Sequence, residues 1–325
     1  MIITRTPFRM SFVGGGTDLP DFYRIERGAV VSTAINKYMY IVVNKRFDDT
    51  IRVSYSRTEI VKDVEEIQHP IVREALKLSG ITKGIEIVSL ADIPAGTGLG
   101  SSGSFTVGLL NALYAYKGIL KSAEELAREA CHIELDILGE PIGKQDQYIA
   151  AYGGIRYIQF NSDGTVFTEP IICGKESKEE LSQKLLLFYT GDTREAGSIL
   201  REQKVNTTQS EKMEFLKEMR NLAFELRNHL NNLSSLDVLG EFLHKGWVLK
   251  KQLASDISNE RIDEYYEKAL NAGALGGKIL GAGGGGFLLL YCLKEKQPEV
   301  RRALSNLALT EFTLEPEGSK IIYVI

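Results

Sequence analysis

The chain has 325 residues, 25% of them charged and 43% hydrophobic, with a net charge of −4; this excludes a disordered or fibrous protein and leaves room for one large or two ordinary domains. A pI of about 5.8 supplies no broad basic surface for nucleic acid or an anionic membrane. Apolar runs such as 287–293 fall well short of the ~20 residues of a membrane span, residues 1–7 lack the apolar core of a secretory signal, and Cys131, Cys173 and Cys292 are too widely spaced for a disulfide framework or metal knuckle, so a cytoplasmic location is expected.

Short runs rich in β-branched and aromatic residues predict strands over 2–6, 8–13, 29–34, 39–43, 51–55 and 85–90, with one helix at 69–79. Helical spacing follows at 102–117 and 123–138, then strands at 154–159 and 166–169. The charge-rich stretch 174–183 reads as a boundary between an N-terminal unit, 1–180, and a C-terminal unit, 181–325. Beyond it come a strand at 185–189, helices at 210–230, 236–254 and 260–272, a strand at 287–293, a helix near 298–309 and a last strand at 320–325. The class is α+β in two lobes.

The 31 glycines concentrate at 14–16, 96–103 and 276–286. Glycine is needed where backbone turns with positive φ or approaches a ligand closely, so the clusters suggest a nucleotide or sugar site assembled from distant segments. The second cluster, Pro94-Ala95-Gly96-Thr97-Gly98-Leu99-Gly100-Ser101-Ser102-Gly103-Ser104, follows a strand and opens a helix. Loop N–H groups and a helix N-terminus there present positive dipoles to an anion, and the serines add hydroxyls for the backbone or a magnesium ion. A Walker A loop is excluded, since no lysine occurs between residues 93 and 116. Gly98-x-Gly100-x-x-Gly103 has dinucleotide spacing, but residues 92–94 intervene after the strand and Glu124 and Glu125 sit in a helix. Protein-kinase signatures are absent, and His69, His132, His229 and His244 show no metal spacing. A plain helix-entry turn needs one glycine and a cap, not four glycines and three serines.

Single residues stand out against their patterns. Arg9 alternates with the apolar Phe8, Met10 and Phe12 and shares a strand face with Ser11 and Val13; a surface arginine is the alternative. Glu134 falls inside the apolar stripe of Leu126, Ala130, Ile133, Ile137 and Leu138, where a carboxylate needs a cation; the alternative is a stripe-edge glutamate paired with Arg128. Asp146 lies in a loop after Pro141-Ile142-Gly143, and Asp18 precedes Leu19-Pro20; turn chemistry is the simpler reading of each alone.

The three clusters together resemble the motifs of the GHMP kinases, in that superfamily's order and across nearly the whole chain. Thr6-Pro7-Phe8-Arg9-Met10-Ser11-Phe12-Val13-Gly14-Gly15-Gly16-Thr17-Asp18 is similar to its N-terminal substrate motif, residues 94–104 to its phosphate loop, and Lys278-Ile279-Leu280-Gly281-Ala282-Gly283-Gly284-Gly285-Gly286-Phe287 to its C-terminal glycine motif. With Glu134-Leu135-Asp136-Ile137-Leu138-Gly139 and Gly143-Lys144-Gln145-Asp146-Gln147-Tyr148, the first motif most resembles the D-glycero-D-manno-heptose 7-phosphate kinases. Galactokinases carry Gly-Glu-His-Thr-Asp where this chain has Gly-Gly-Gly-Thr-Asp, which argues against galactose.

The resemblance implies an N-terminal lobe like ribosomal protein S5 domain 2, a ferredoxin-like C-terminal lobe and a site between them. It implies ATP and Mg2+ as cofactors, a sugar phosphate as partner, and phosphorylation of an anomeric hydroxyl by a monomer or homodimer. Asp146 would face the attacking hydroxyl and Arg9 would balance charge. Pro94, Gly96, Gly98, Leu99, Gly100, Ser101, Ser102, Gly103 and Ser104 would hold the triphosphate, with Ser102 and Glu134 on magnesium. Gly15, Gly16, Thr17, Asp18, Gly283, Gly284 and Gly285 would meet the sugar, and Arg194, Arg201 and Lys204 are candidates for its phosphate. The alternatives are a kinase of L-fucose or another free hexose and a catalytically silent sugar or nucleotide sensor.

Overall fold

The computed structural model describes residues 1–191, 196–207, 209–231 and 236–325. The first lobe is built from β1 (Ile2–Val13), α1 (Pro20–Tyr23), β2 (Gly28–Lys45), β3 (Ile51–Ser54), β4 (Thr58–Val61), α2 (Pro70–Ser79), β5 (Ile85–Ala91), α3 (Ser101–Tyr116), α4 (Ala123–Cys131), α5 (Gln145–Tyr152), β6 (Ile155–Phe160) and β7 (Val166–Pro170). The second follows with α6 (Lys175–Lys184), β8 (Leu185–Tyr189), α7 (Ala196–Asn206), α8 (Ser210–Asn231), α9 (Val238–Lys250), α10 (Glu260–Asn271), β9 (Ala274–Ile279), β10 (Phe287–Cys292), α11 (Gln297–Ala303) and β11 (Ala308–Leu309). A last strand, β12 (Lys320–Val324), crosses back and pairs antiparallel with β1.

The first sheet has the order β12-β1-β2-β5-β3-β4, with β6 on the first half of β2 and β7 beyond it. The second is β11-β8-β10-β9, antiparallel throughout. Helix α3 lies against β1 and β2 and is buried along nearly its whole length, which its apolar, small-residue sequence permits. Phe8, Met10 and Phe12 pack into one core, and Trp247, Phe188 and Leu290 into that of the second lobe. Among the described residues no helix is long and apolar enough to cross a membrane.

Several sequence expectations change. The strands expected at 2–6 and 8–13 are one, because β1 absorbs Pro7 at a register shift where proline's missing N–H is tolerated. The strands at 29–34 and 39–43 likewise join into β2. The stretch 174–183 is mostly the exposed helix α6, supported by i,i+4 pairs Lys175–Glu179 and Lys184–Glu180. Asp146 sits in the first turn of α5 rather than in a loop. The helix expected at 298–309 ends at Ala303 and gives way to β11. Strands β4 and β9 and helices α1 and α7 are not apparent in the hydrophobic pattern.

Candidate active site

The three glycine clusters meet in a cleft of about 260 Å3 between the lobes. From β1 and its following turn come Arg9, Ser11, Gly15, Gly16 and Asp18; the α3 entry adds Gly96, Gly98, Gly100, Ser101 and Ser102; the turn between β9 and β10 adds Gly281, Gly283 and Gly285. Clusters two and three touch backbone to backbone. At Gly98, with φ of 84°, a Cβ would lie 2.5 Å from the Leu280 carbonyl oxygen, so only glycine permits this approach.

Arg9, only 4% exposed, is fixed on three sides. Its Nε and Nη2 donate to Asp146 Oδ1 and Oδ2 at 2.6 and 2.9 Å, and its Nη1 donates to the Gly98 carbonyl at 2.6 Å. The bidentate pair orients the carboxylate with both oxygens held at the edge of the cleft. Gly100, the residue before α3, leaves room for this pair: a Cβ there would lie 2.9 Å from Arg9 Cγ.

Helix α4 continues into a π-helical turn, His132–Ile137, and Glu134 in that turn is fully buried. Its Oε2 accepts from the Ser102 hydroxyl and its Oε1 from Gln147 Nε2 at 2.9 Å, and burial raises its carboxyl to about 6. It is not a stripe-edge glutamate paired with Arg128. Ile137, placed in the stripe by 3.6-residue spacing, is 44% exposed because the wider turn shifts the helix phase. A carboxylate and a hydroxyl beside the α3 N-terminus are the hard oxygen donors that Mg2+ takes together with phosphates and water, so the residues present fit that ion. Among the described residues no cluster of three or more His, Cys, Asp or Glu offers an alternative metal site.

Asp18 is buried, with Oδ1 accepting from Gly16 N–H at 2.9 Å and Oδ2 from Gln145 N–H at 3.3 Å. Burial, then repulsion from Asp146, raises its carboxyl above the ordinary range. The segment 143–145 runs hard against it: a Cβ on Gly143 would meet Asp18 Oδ2 at 1.9 Å.

Other expected site residues are used elsewhere. Thr17 donates its hydroxyl to the Gly14 and Ala29 carbonyls, and Ser104 to that of Pro7, so both brace the fold. Pro94, Leu99, Gly103 and Gly284 also lie off the cleft wall; the Leu99 carbonyl accepts the Arg9 N–H, and Gly103 packs against Asp146 and Gln147. Arg201 and Lys204 are exposed outside the cleft, and Arg194 lies outside the described residues.

Sequence reasoning missed Ser11, Gln145, Gln203, Lys250 and Lys278, all of which line the cleft. Among the described residues the Ser11 hydroxyl and Gln203 Nε2 are buried without a protein partner, and Gln203 lies over Gly16, where a Cβ would come within 2.4 Å of its Nε2. Lys250, at the end of α9, donates to the Gly281 carbonyl, and Lys278, in β9, to that of Phe12 at 3.2 Å. The signal available was the position of Lys278 at the start of the third glycine motif; Lys250 has none.

A helix N-terminus, glycine turns, a bidentate Arg–Asp pair and, among the described residues, unpartnered hydroxyl and amide groups meet in this cleft and define an ATP-dependent phosphotransferase. Residues 62–154 match the GHMP kinases N terminal domain and 223–308 the GHMP kinases C terminal domain. The chain is similar to a D-glycero-alpha-D-manno-heptose 7-phosphate kinase from Campylobacter jejuni, 28% identical over 98% of each chain. It is also similar to a mevalonate kinase from Thermococcus gammatolerans, 30% identical over 78% of this chain and 73% of that one. In fold it is similar to a D-glycero-D-manno-heptose 1-phosphate kinase from Bacteroides thetaiotaomicron, with a TM-score of 0.82, 23% identity and full coverage of both chains. A galactokinase from Lactococcus lactis follows with a TM-score of 0.76 at 19% identity, over 98% of this chain and 94% of that one. The chain belongs to the GHMP kinase family.

Proposed function

We propose that this enzyme transfers the γ-phosphoryl group of ATP to the anomeric hydroxyl of D-glycero-D-manno-heptose 7-phosphate, forming the 1,7-bisphosphate and ADP. The observation that carries the chemistry is the Arg9–Asp146 pair, set where the three glycine segments converge. Asp146 orients the sugar hydroxyl and takes its proton as the oxygen bonds to the γ-phosphorus and the bond to the ADP oxygen breaks. A weak base suffices, because in a loose transition state the proton leaves late. Arg9 orients Asp146 through both of its oxygens and offsets charge on the moving group.

The N–H groups at the start of α3 and in the loop 96–100 hold the phosphates. Ser102 and Glu134 would hold Mg2+, which when bound neutralises charge on the β- and γ-phosphate oxygens. Asp18, Ser11, Gln145 and Gln203 recognise sugar hydroxyls, and Gly15, with no side chain to enter the cleft, leaves space for a seven-carbon acceptor. Similarity along the full length of a heptose 7-phosphate kinase supports this acceptor.

The test is ADP release with MgATP against D-glycero-D-manno-heptose 7-phosphate, the corresponding 1-phosphate, the free heptose, L-fucose, galactose and mannose. Turnover with the 7-phosphate at a kcat/KM at least tenfold above every other acceptor is expected. A higher value for the 1-phosphate, or for L-fucose, the acceptor of two further relatives by name, overturns the assignment while leaving the kinase.

A further inference from the structure

Beyond the residues given roles above, the cleft floor holds two lysines with no assigned task. Lys250 is 4% exposed and Lys278 3%, yet among the described residues neither has a carboxylate within ion-pair distance. An ammonium group has three N–H donors, and each of these spends one on a backbone carbonyl, of Gly281 and Phe12. The two carboxylates that share the cleft are already taken: Asp146 by Arg9, and Asp18 by two backbone N–H groups. Arg9 therefore makes a third buried cation in the same enclosure.

Buried charge without a partner is costly, and three cations facing two committed carboxylates leave an excess positive field. The acceptor that satisfies several N–H donors at once and carries compensating charge is a phosphate group. We propose that Lys250 and Lys278 form a phosphate-binding floor, completing from the second lobe the cradle that the α3 entry begins in the first. This deepens the kinase reading and rests on ATP and its acceptor meeting in this cleft. Burial lowers Lys250 to about 8 and Lys278 well below its ordinary value, with neighbouring cations pushing the same way, and a bound dianion, which favours the charged form of each, opposes both shifts.

Two phosphates pass through the cleft, the γ-phosphate of ATP and that of a phosphorylated acceptor, and matched ligand pairs separate them. Isothermal titration calorimetry on Lys250→Met and Lys278→Met compares ADP with a non-hydrolysable ATP analogue, and free heptose with heptose 7-phosphate. A tenfold or greater loss for the phosphate-bearing member of one pair, with its partner unchanged, is expected; the pair affected names the source. Unchanged affinity for all four ligands in both variants overturns the proposal, as does equal weakening within both pairs. Methionine keeps the length and removes the buried charge, so the ligand-free variants should melt at or above the parent temperature. If the parent protein binds neither heptose, the acceptor assignment fails by itself and the nucleotide pair alone decides the lysines.

Discussion

Asp146 and Asp18 share one cleft, and their neighbours give them different work. Asp146 faces a guanidinium through both oxygens, whereas Asp18 is buried on two backbone N–H groups and its carboxyl is raised. Asp146→Asn should therefore lower kcat by roughly 10²–10⁴-fold, the span of general-base catalysis, while the Kd for ATP measured by calorimetry stays within twofold. A kcat equal to the parent's would remove Asp146 from the chemistry. Lys250 makes a prediction about stability. The folded protein releases its proton near pH 8, while the unfolded chain holds it to the ordinary 10.5. Between those values the unfolded state carries more protons, so stability rises with pH across that window, by up to about 3 kcal/mol from this group. Urea unfolding midpoints from pH 7 to 10.5 should show the rise, and Lys250→Met should make it shallower, with Lys278 supplying the remainder; an identical slope in the variant contradicts the argument.

At the scale of elements, catalysis depends on how closely α3 and α5 cross. A Cβ added at Gly103 would lie 2.9 Å from Asp146 Cβ and 3.0 Å from the Gln147 nitrogen. Gly103→Ala should wedge the helices apart, costing roughly 1–3 kcal/mol as overpacking does and moving Asp146 off Arg9. The expected outcome is a lower melting temperature together with a fall in kcat larger than any rise in KM; a variant that loses stability but keeps kcat would show that the crossing does not set the geometry. Glycine clustering and the misplaced carboxylate at 134 were legible because each breaks a local pattern. The helix α5 was not, since eight residues carry too little period, and β1 was divided at Pro7 because the partner strand that accommodates the proline is distant in sequence. Lys250 was illegible for a different reason, and of Lys278 only its place at the start of the third glycine motif could be read. A single lysine in a helix or strand reads as a solvated side chain, and only tertiary packing shows that these two are enclosed.

On the scale of the whole molecule, the two sheets are not threaded in simple succession. After the second sheet is complete, the chain returns through Ser319, whose hydroxyl meets those of Thr6 and Asn111's amide, and β12 covers the free side of β1. Deleting residues 320–325 should bare that edge and uncover Ile2, now 6% exposed. A melting temperature lower by several degrees and increased light scattering on heating are expected; an unaltered melting curve would show that β12 is dispensable. The same strand order bears on how the protein is made. While the ribosome is still adding the second sheet, β1, which holds Arg9, has its outer edge open, and that edge closes only after residue 324 has left the exit tunnel. The first sheet is thus the earliest to be synthesised and the last to be finished, so a nascent chain paused anywhere between 170 and 319 presents an unpaired strand to chaperones or to another copy of itself.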